Sequence, residues 1–281
     1  MTTAVSAAVG SLPRSAGDRS PPSSGSVQSV TRALYLLELL ATRRDGATAK
    51  EIASHLDLAL PSTYHLLTTL IDNGYVVHLT QQHRYGLGYR VRVLEEGLAH
   101  QLEAPAAVVE AIRRLHVEAD AAAYYAVYRD VEVVIAHVVD SERRPRVRVL
   151  DVGFHEAAHA TAFGKVMLAA MTAEQRDAYI ARAGLRRCTS RTIVDQPSLE
   201  THLAHVRAAQ LAVEFGEFQT GLACLAAPVR SPAGAVVGSV AVSLPCAEFA
   251  SRRWAVERSL RHGAMVVTKT LRATVAEQRP G

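Results

Sequence analysis

The chain has 281 residues, 49% of them hydrophobic, 5% aromatic and 21% charged, a length that suits two domains and a core needing no covalent staples. Its three cysteines, Cys188, Cys224 and Cys246, lie 36 and 22 residues apart without a C-x-x-C pair. That spacing excludes a disulfide framework, argues against a zinc site, and reads as reduced thiols of a cytoplasmic protein. No apolar run approaches the roughly 20 residues of a membrane helix, and no cofactor is implied. The formal charge of +4 divides as +2 over residues 1–90 and +2 over the rest, so it permits an acidic partner without specifying one.

Residues 1–26 contain thirteen Gly, Pro or Ser, too little apolar surface to offset ordering, and are expected to be a disordered tail. From Val27 the apolar residues Val30, Leu34, Leu37 and Ala41, filled in by Ala33, Leu36 and Leu40, recur at helical spacing, and Gly46 supplies a C-terminal left-handed position. Thr48-Ala49-Lys50-Glu51 has capping-box spacing and opens a short helix with Ala49, Ile52, Ala53 and Leu56 inward. A third helix covers residues 60–73, with Pro61 in its first turn and a buried stripe of Leu60, Tyr64, Leu67, Leu70 and Ile71. Period-two runs at 75–79 and 84–87 flank a polar turn and predict a hairpin.

A helical linker follows at residues 89–104. Beyond it, helices at 106–118, 162–170, 173–183, 198–209 and 254–271 alternate with strands at 122–129, 131–139, 222–230 and 235–244, and residues 146–152 read as a further strand. Ser231-Pro232-Ala233-Gly234 is a hairpin turn.

Two short helices, a tight turn and a hairpin are the parts of a winged helix-turn-helix, in which the second helix enters the major groove. The face of the 60–73 helix opposite its stripe carries Ser62, His65, Thr68, Thr69 and Asp72. Pro61, Ser62 and Thr63 occupy the N-terminal turn, where free N–H groups and the dipole favour phosphate. Arg84 on the hairpin is placed to reach an adjacent phosphate, with Arg43 and Arg44 adding charge. The same parts also build protein-binding wings, so a ligand sensor or adaptor binding protein instead of DNA stands beside the DNA reading.

The string Ser29-Val30-x-Arg32-Ala33-Leu34-x-Leu36-Leu37-x-Leu39-Leu40, then Glu51-Ile52-Ala53 and Ser62-Thr63-Tyr64-His65-Leu66-Leu67-x-Thr69-Leu70, resembles the IclR family of bacterial transcriptional regulators. Gly74-Tyr75-Val76, Arg84-Tyr85-x-Leu87-Gly88, His159-Ala160-Thr161-Ala162-x-Gly164-Lys165 and Gly221-x-x-Cys224-Leu225-Ala226-Ala227-Pro228-Val229 continue the resemblance, which runs from about Val27 to Leu271. It implies an α+β chain: a winged helix-turn-helix at 27–88, the helical linker at 89–104, and a GAF-like α/β effector-binding and oligomerisation domain at 105–281. It further implies double-stranded, pseudo-palindromic operator DNA and a homodimer or dimer of dimers. A small-molecule effector is implied between the C-terminal sheet and the helix after His159, lined by Ala162, Phe163, Glu214, Leu222, Cys224, Ala241 and Ser243. Phe163 stands where a small residue is usual and Ala241 where a hydroxyl is frequent; two carboxylates of the family's acidic stretch are replaced in Glu214-Phe215-Gly216-Glu217-Phe218. These departures predict a larger or less polar ligand than a short keto-acid.

Other constellations carry less. Cys224 has no nearby His and reads as a small apolar residue in a strand, not a nucleophile. His155 and His159 have i,i+4 spacing but no third metal ligand. His202 and His205 are expected to be solvated, and Lys165 to pack its stem while solvating its charge. Glu214 and Glu217 lack an accompanying nucleophile, so the chain is not expected to be an enzyme.

Overall fold

The computed structural model describes residues 27–277, and the expected tail at 1–26 lies outside them. The chain divides into two units, Met1–Leu98 and Ala99–Gly281.

In the first unit, helix α1 (Gln28–Ala41) buries Leu36, Leu39 and Leu40, whereas Val27, Val30 and Leu34 stay exposed. Helix α2 (Ala49–Leu56) opens on a complete capping box: the Thr48 hydroxyl accepts from Glu51 N at 3.2 Å and Thr48 N donates to the Glu51 carboxylate at 2.7 Å. Such a cap is worth about 1 kcal/mol. Its inward face is Ala49, Ile52, Ala53 and Leu56. Helix α3 (Leu60–Asp72) follows, then the antiparallel hairpin of β1 (Val76–Leu79) and β2 (Arg84–Leu87). Gly46 is fixed by two constraints: its φ is +71°, and a Cβ there would lie 2.3 Å from Tyr85 O. That approach lets Ala47 bridge to Tyr85 and closes the wing on the helices.

Helix α3 departs from expectation in one respect. Thr63 and Leu67 are buried, while Tyr64 is 48% exposed. Leu67 and Leu70 are buried as expected and Leu60 and Ile71 half-buried, but Thr63 takes the inward place expected for Tyr64, donating its hydroxyl to Ala59 O at 3.2 Å.

Helix α4 (Arg90–Gln101) leads into the second unit. Its sheet has strand order β4-β3-β7-β6-β5, all antiparallel: β3 (Ala122–Arg129), β4 (Glu132–Val139), β5 (Ala212–Phe215), β6 (Leu222–Arg230) and β7 (Val236–Pro245). One face packs on α5 (Ala106–Ala119) and α9 (Cys246–Glu277), whose Val256, Leu260, Ala264 and Val267 are buried. The opposite face packs on α6 (Ala162–Ala170), α7 (Ala173–Ala183) and α8 (Gln196–Ala209). The result is a three-layer α/β/α unit. Among the described residues no helix is long and apolar enough to cross a membrane.

Residues 146–152 form no strand. Arg146 is held by Asp140 and Asp151 instead, and the backbone of Ile135 bonds to Gly153 and Phe154, where β4 is offset from β3 by a bulge. Strand β5 has no counterpart among the expected elements, because a four-residue run is too short to show a period.

Gly164 seats α6 on the preceding turn: a Cβ there would lie 2.2 Å from Ala158 O and 2.4 Å from Ala158 Cα. Gly164→Ala is therefore expected to cost about 3 kcal/mol or more, measured as a lowered melting temperature. An unchanged melting temperature would show that the turn yields freely.

Candidate functional site

Two surfaces carry functional chemistry. The first is the outward face of α3. Ser62, His65, Thr68 and Thr69 are all exposed on it, beside exposed Pro61. The helix start is capped by Ala59, which has no side-chain hydrogen bond to give, so the first N–H groups remain available to an anion. Thr69 donates its hydroxyl to His65 O at 3.0 Å, which leaves its oxygen lone pairs as the outward function. Tyr64, expected inside, adds a phenol to this face.

Two expected members are placed otherwise. Thr63 is fully buried and cannot reach a phosphate. Arg84 is half-buried and already engaged: its guanidinium binds Glu51 at 3.1 Å and Gly46 O at 3.4 Å. The carboxylate that completes the α2 cap thus also anchors the wing, and Arg84 positions the hairpin. Arg43 and Arg44 are exposed and form no ion pair among the described residues.

The second surface lies inside the other unit, on the α6 side of the sheet. Strand register builds it. Glu214 of β5 pairs with Cys224 of β6, which pairs with Ser243 of β7; Ala241 faces Tyr124 of β3, whose hydroxyl meets Ser243 Oγ at 3.0 Å. Ala162, Phe163, Cys224 and Ala241 belong to one packed cluster, with Leu222 against it. Phe154 packs edge-on to both Phe163 and Phe218, at centroid distances of 6.4 and 5.5 Å. All seven residues expected at this site are therefore buried or half-buried together.

Into this apolar setting the fold inserts charge. Lys165 is fully buried, against the expectation of a solvated ammonium, and its Nζ is ion-paired with Glu217. Burial lowers its affinity for a proton, opposed by the Glu217 and Glu214 carboxylates. The Glu214 carboxyl accepts the backbone N–H groups of Glu217 and Phe218, while Thr192 and Thr189 donate to the carbonyls of Glu217 and Gly216, both at 2.7 Å. Glu214 Oε2 and Glu217 Oε2 are buried without a hydrogen-bond partner among the described residues.

Desolvation pushes Glu214 up to about 7, overcoming the two backbone N–H groups that favour its charged form. Cys224 is raised well above the ordinary thiol range by burial, so it is no thiolate. His202 is half-buried with Nε2 unpartnered among the described residues, and burial with the Lys165 charge pushes it down to about 4. The expectation of a solvated His202 fails because α8 half-buries this ring where it feels the Lys165 charge. His159 donates from Nε2 to Arg186 O at 3.0 Å, leaving Nδ1 without a partner among the described residues.

Tyr124, Lys165 and Glu217 are not among the expected lining residues. A signal for one of them exists: a lysine within Ala162-Phe163-Gly164-Lys165-Val166-Met167-Leu168 has no polar face to occupy.

Known proteins resemble this chain across both surfaces. Residues 98–268 match the family model described as bacterial transcriptional regulator IclR C-terminal, and residues 29–79 match the IclR helix-turn-helix domain. The chain is 27% identical over 257 residues to the transcriptional repressor IclR of Escherichia coli K12, covering 91% of this chain and 92% of that one. It is 26% identical over 245 residues to the HTH-type transcriptional repressor AllR of Klebsiella pneumoniae, covering 87% and 89%. Its fold is that of an IclR homolog from Microbacterium hydrocarbonoxydans solved in complex with 4-hydroxybenzoate, at a TM-score of 0.67 and 21% identity over 87% of this chain and 99% of that one.

The titration of Glu214 has a definite sign. The folded state holds this proton up to about pH 7 and the unfolded chain only to an ordinary 4.5. Its stabilisation is thus complete below 4.5 and lost as pH rises through 7, by about 3 kcal/mol at most. His202, lowered from 6.5 to about 4, works oppositely, its contribution being present above 6.5 and lost toward 4. Glu214→Gln should accordingly gain stability relative to the parent between pH 4.5 and 7.5 in thermal unfolding. Parallel curves for the two proteins would contradict the buried, proton-holding role.

Proposed function

The chain belongs to the IclR family of bacterial transcriptional regulators, and from that premise we propose how its residues divide the work of DNA recognition and effector sensing. It is a DNA-binding transcriptional regulator of the IclR type. The matched helix-turn-helix favours DNA over the protein-binding alternative, and regulators of this family are not enzymes.

Operator contacts are assigned to Pro61, Ser62, Tyr64, His65, Thr68 and Thr69. The observation that carries this assignment is a continuous exposed polar face on α3 that begins at an uncapped helix start. Hydroxyls and free N–H groups at the first turn take phosphate, while His65 and Thr68, further along, address base edges. Arg84 acts through the wing it holds. The first unit also leaves Val30 and Leu34 of α1 and Val93, Leu94 and Leu98 of α4 exposed. Apolar surface of that extent on a DNA-binding unit supports a homodimer, or dimer of dimers, reading a pseudo-palindrome.

The effector site is assigned to Ala162, Phe163, Glu214, Leu222, Cys224, Ala241 and Ser243, joined by Tyr124, Lys165 and Glu217. Its chemistry is mixed: apolar walls rich in phenylalanine, one ammonium, one protonatable carboxyl and two carboxylate oxygens without a partner among the described residues. Such a lining suits a ring-bearing molecule with a few polar groups, larger than a short keto-acid. A relative of the same fold is solved with 4-hydroxybenzoate, a molecule of that class. An effector shifts operator affinity only to the extent that it binds one arrangement of the protein better than another.

Three measurements test these assignments. His65→Ala should weaken specific operator binding by about 1–3 kcal/mol and random-sequence binding far less; equal losses on both would remove it from base readout. Arg84→Ala should weaken both kinds of DNA alike and lower the melting temperature slightly, since it loosens the wing. Phe163→Ala should change which compounds raise the melting temperature in a panel running from glyoxylate and pyruvate to aromatic acids, without unfolding the protein. An unchanged ligand profile would take Phe163 out of the site.

A further inference from the structure

The second unit contains an open cleft distinct from the Glu214 cluster. It lies between the turn at Gln101–Pro105 and strands β3 and β4, with a volume of about 440 Å³. Its floor includes Tyr125 and Val127, which pack on the α5 and α9 face of the sheet, away from Phe163 and Lys165.

Two polar groups that line this cleft have hydrogen-bonding capacity to spare. Tyr125 is only 4% exposed, yet its hydroxyl makes no hydrogen bond among the described residues. Desolvation holds that phenol protonated, pushing it up to about 12, so it presents a donor. Arg129 forms no ion pair among the described residues; its guanidinium has the neutral amide oxygen of Gln101 at 2.5 Å. A hydroxyl donor open to the cleft and an exposed guanidinium whose one partner among the described residues is a neutral amide both suit an anionic oxygen ligand. Pro105 and Val127 supply apolar wall, and Glu103, which also lines the cleft, adds a negative charge that disfavours a second anionic group.

We propose that this cleft is a second small-molecule site, which takes a monocarboxylate bearing one apolar ring. The carboxylate pairs with Arg129 in place of Gln101, the Tyr125 hydroxyl donates to a ligand oxygen, and the ring lies on Pro105 and Val127. Gln101 is the last residue of α4, so occupancy releases a tie at the end of that helix. No bond is made or broken. The proposal is independent of the effector assignment on the other face.

The test is isothermal titration of the full-length protein with 3-phenylpropionate, its neutral amide and the dianion phenylsuccinate. Saturable binding of the monoanion is expected, with the amide and the dianion each weaker by about tenfold. Arg129→Met should raise Kd by about tenfold or more and Tyr125→Phe by several-fold, at unchanged melting temperatures. Gln101→Ala should tighten binding, because the competing amide is gone. Phe163→Ala should leave the affinity within about twofold, since that residue lines the other site. Absence of saturable binding up to about 10 mM, a margin set by what weak sites of this size reach, would overturn the site. So would an affinity unchanged by Arg129→Met, or one lost in Phe163→Ala, which would place the probe against the Glu214 cluster.

Discussion

An ammonium and a carboxylate, both withdrawn from water, join helix α6 to the loop after strand β5. Bringing Lys165 and Glu217 inside costs several kcal/mol of hydration for each ion, recovered only while each has the other. The surroundings are arranged to keep them together. Thr189 and Thr192 hold the backbone carbonyls of residues 216 and 217, Glu214 holds the amides of 217 and 218, and Thr161 caps α6 so that its first turn presents Lys165 inward. Removing one partner strands a charge in an apolar layer, at a cost of about 3–5 kcal/mol. The geometry of this side of the sheet therefore follows from one pair.

The same arrangement makes the interior responsive. Glu214 accepts two backbone N–H groups and still prefers its proton near neutrality, because desolvation outweighs those bonds. Its second oxygen and that of Glu217 have no partner among the described residues. A group that donated to the Glu217 oxygen, or that accepted from a protonated Glu214, would satisfy a buried polar atom now left without a partner among the described residues. Polar groups are concentrated here, while the α5 and α9 face is apolar apart from the Tyr125 hydroxyl.

In the DNA-binding unit one ion pair is committed to structure, while Arg43 and Arg44 stay exposed. Arg84 and Glu51 secure the wing to α2, and the outward face of α3 is built from hydroxyls, a phenol and an imidazole. With little net charge in this unit, the positive helix starts carry part of the attraction to a polyanion.

Much of this was legible in the amino-acid string. The capping box at Thr48 and Glu51, Gly46 as a left-handed stop, Pro61 at a helix start and the Ser231–Gly234 turn are local rules, satisfied by residues within four positions of one another. Resemblance across the chain added the family and the seven residues that are buried or half-buried on the α6 side of the sheet. What stayed hidden was non-local. Tyr64 and Thr63 exchange expected places because the angle at which α3 meets its neighbours, not its own period, selects the buried stripe. Arg84 is claimed by a residue 33 positions away, and Lys165 by one 52 positions away. Residues 146–152 have strand-like alternation but find no strand to pair with. Sequence alone thus determined most of the elements, their order and the family, since hydrophobic period and turn chemistry act over a few residues. Only the tertiary structure decided which charged groups meet and which are left without partners, because the cost of burying a charge depends on what the rest of the chain brings beside it.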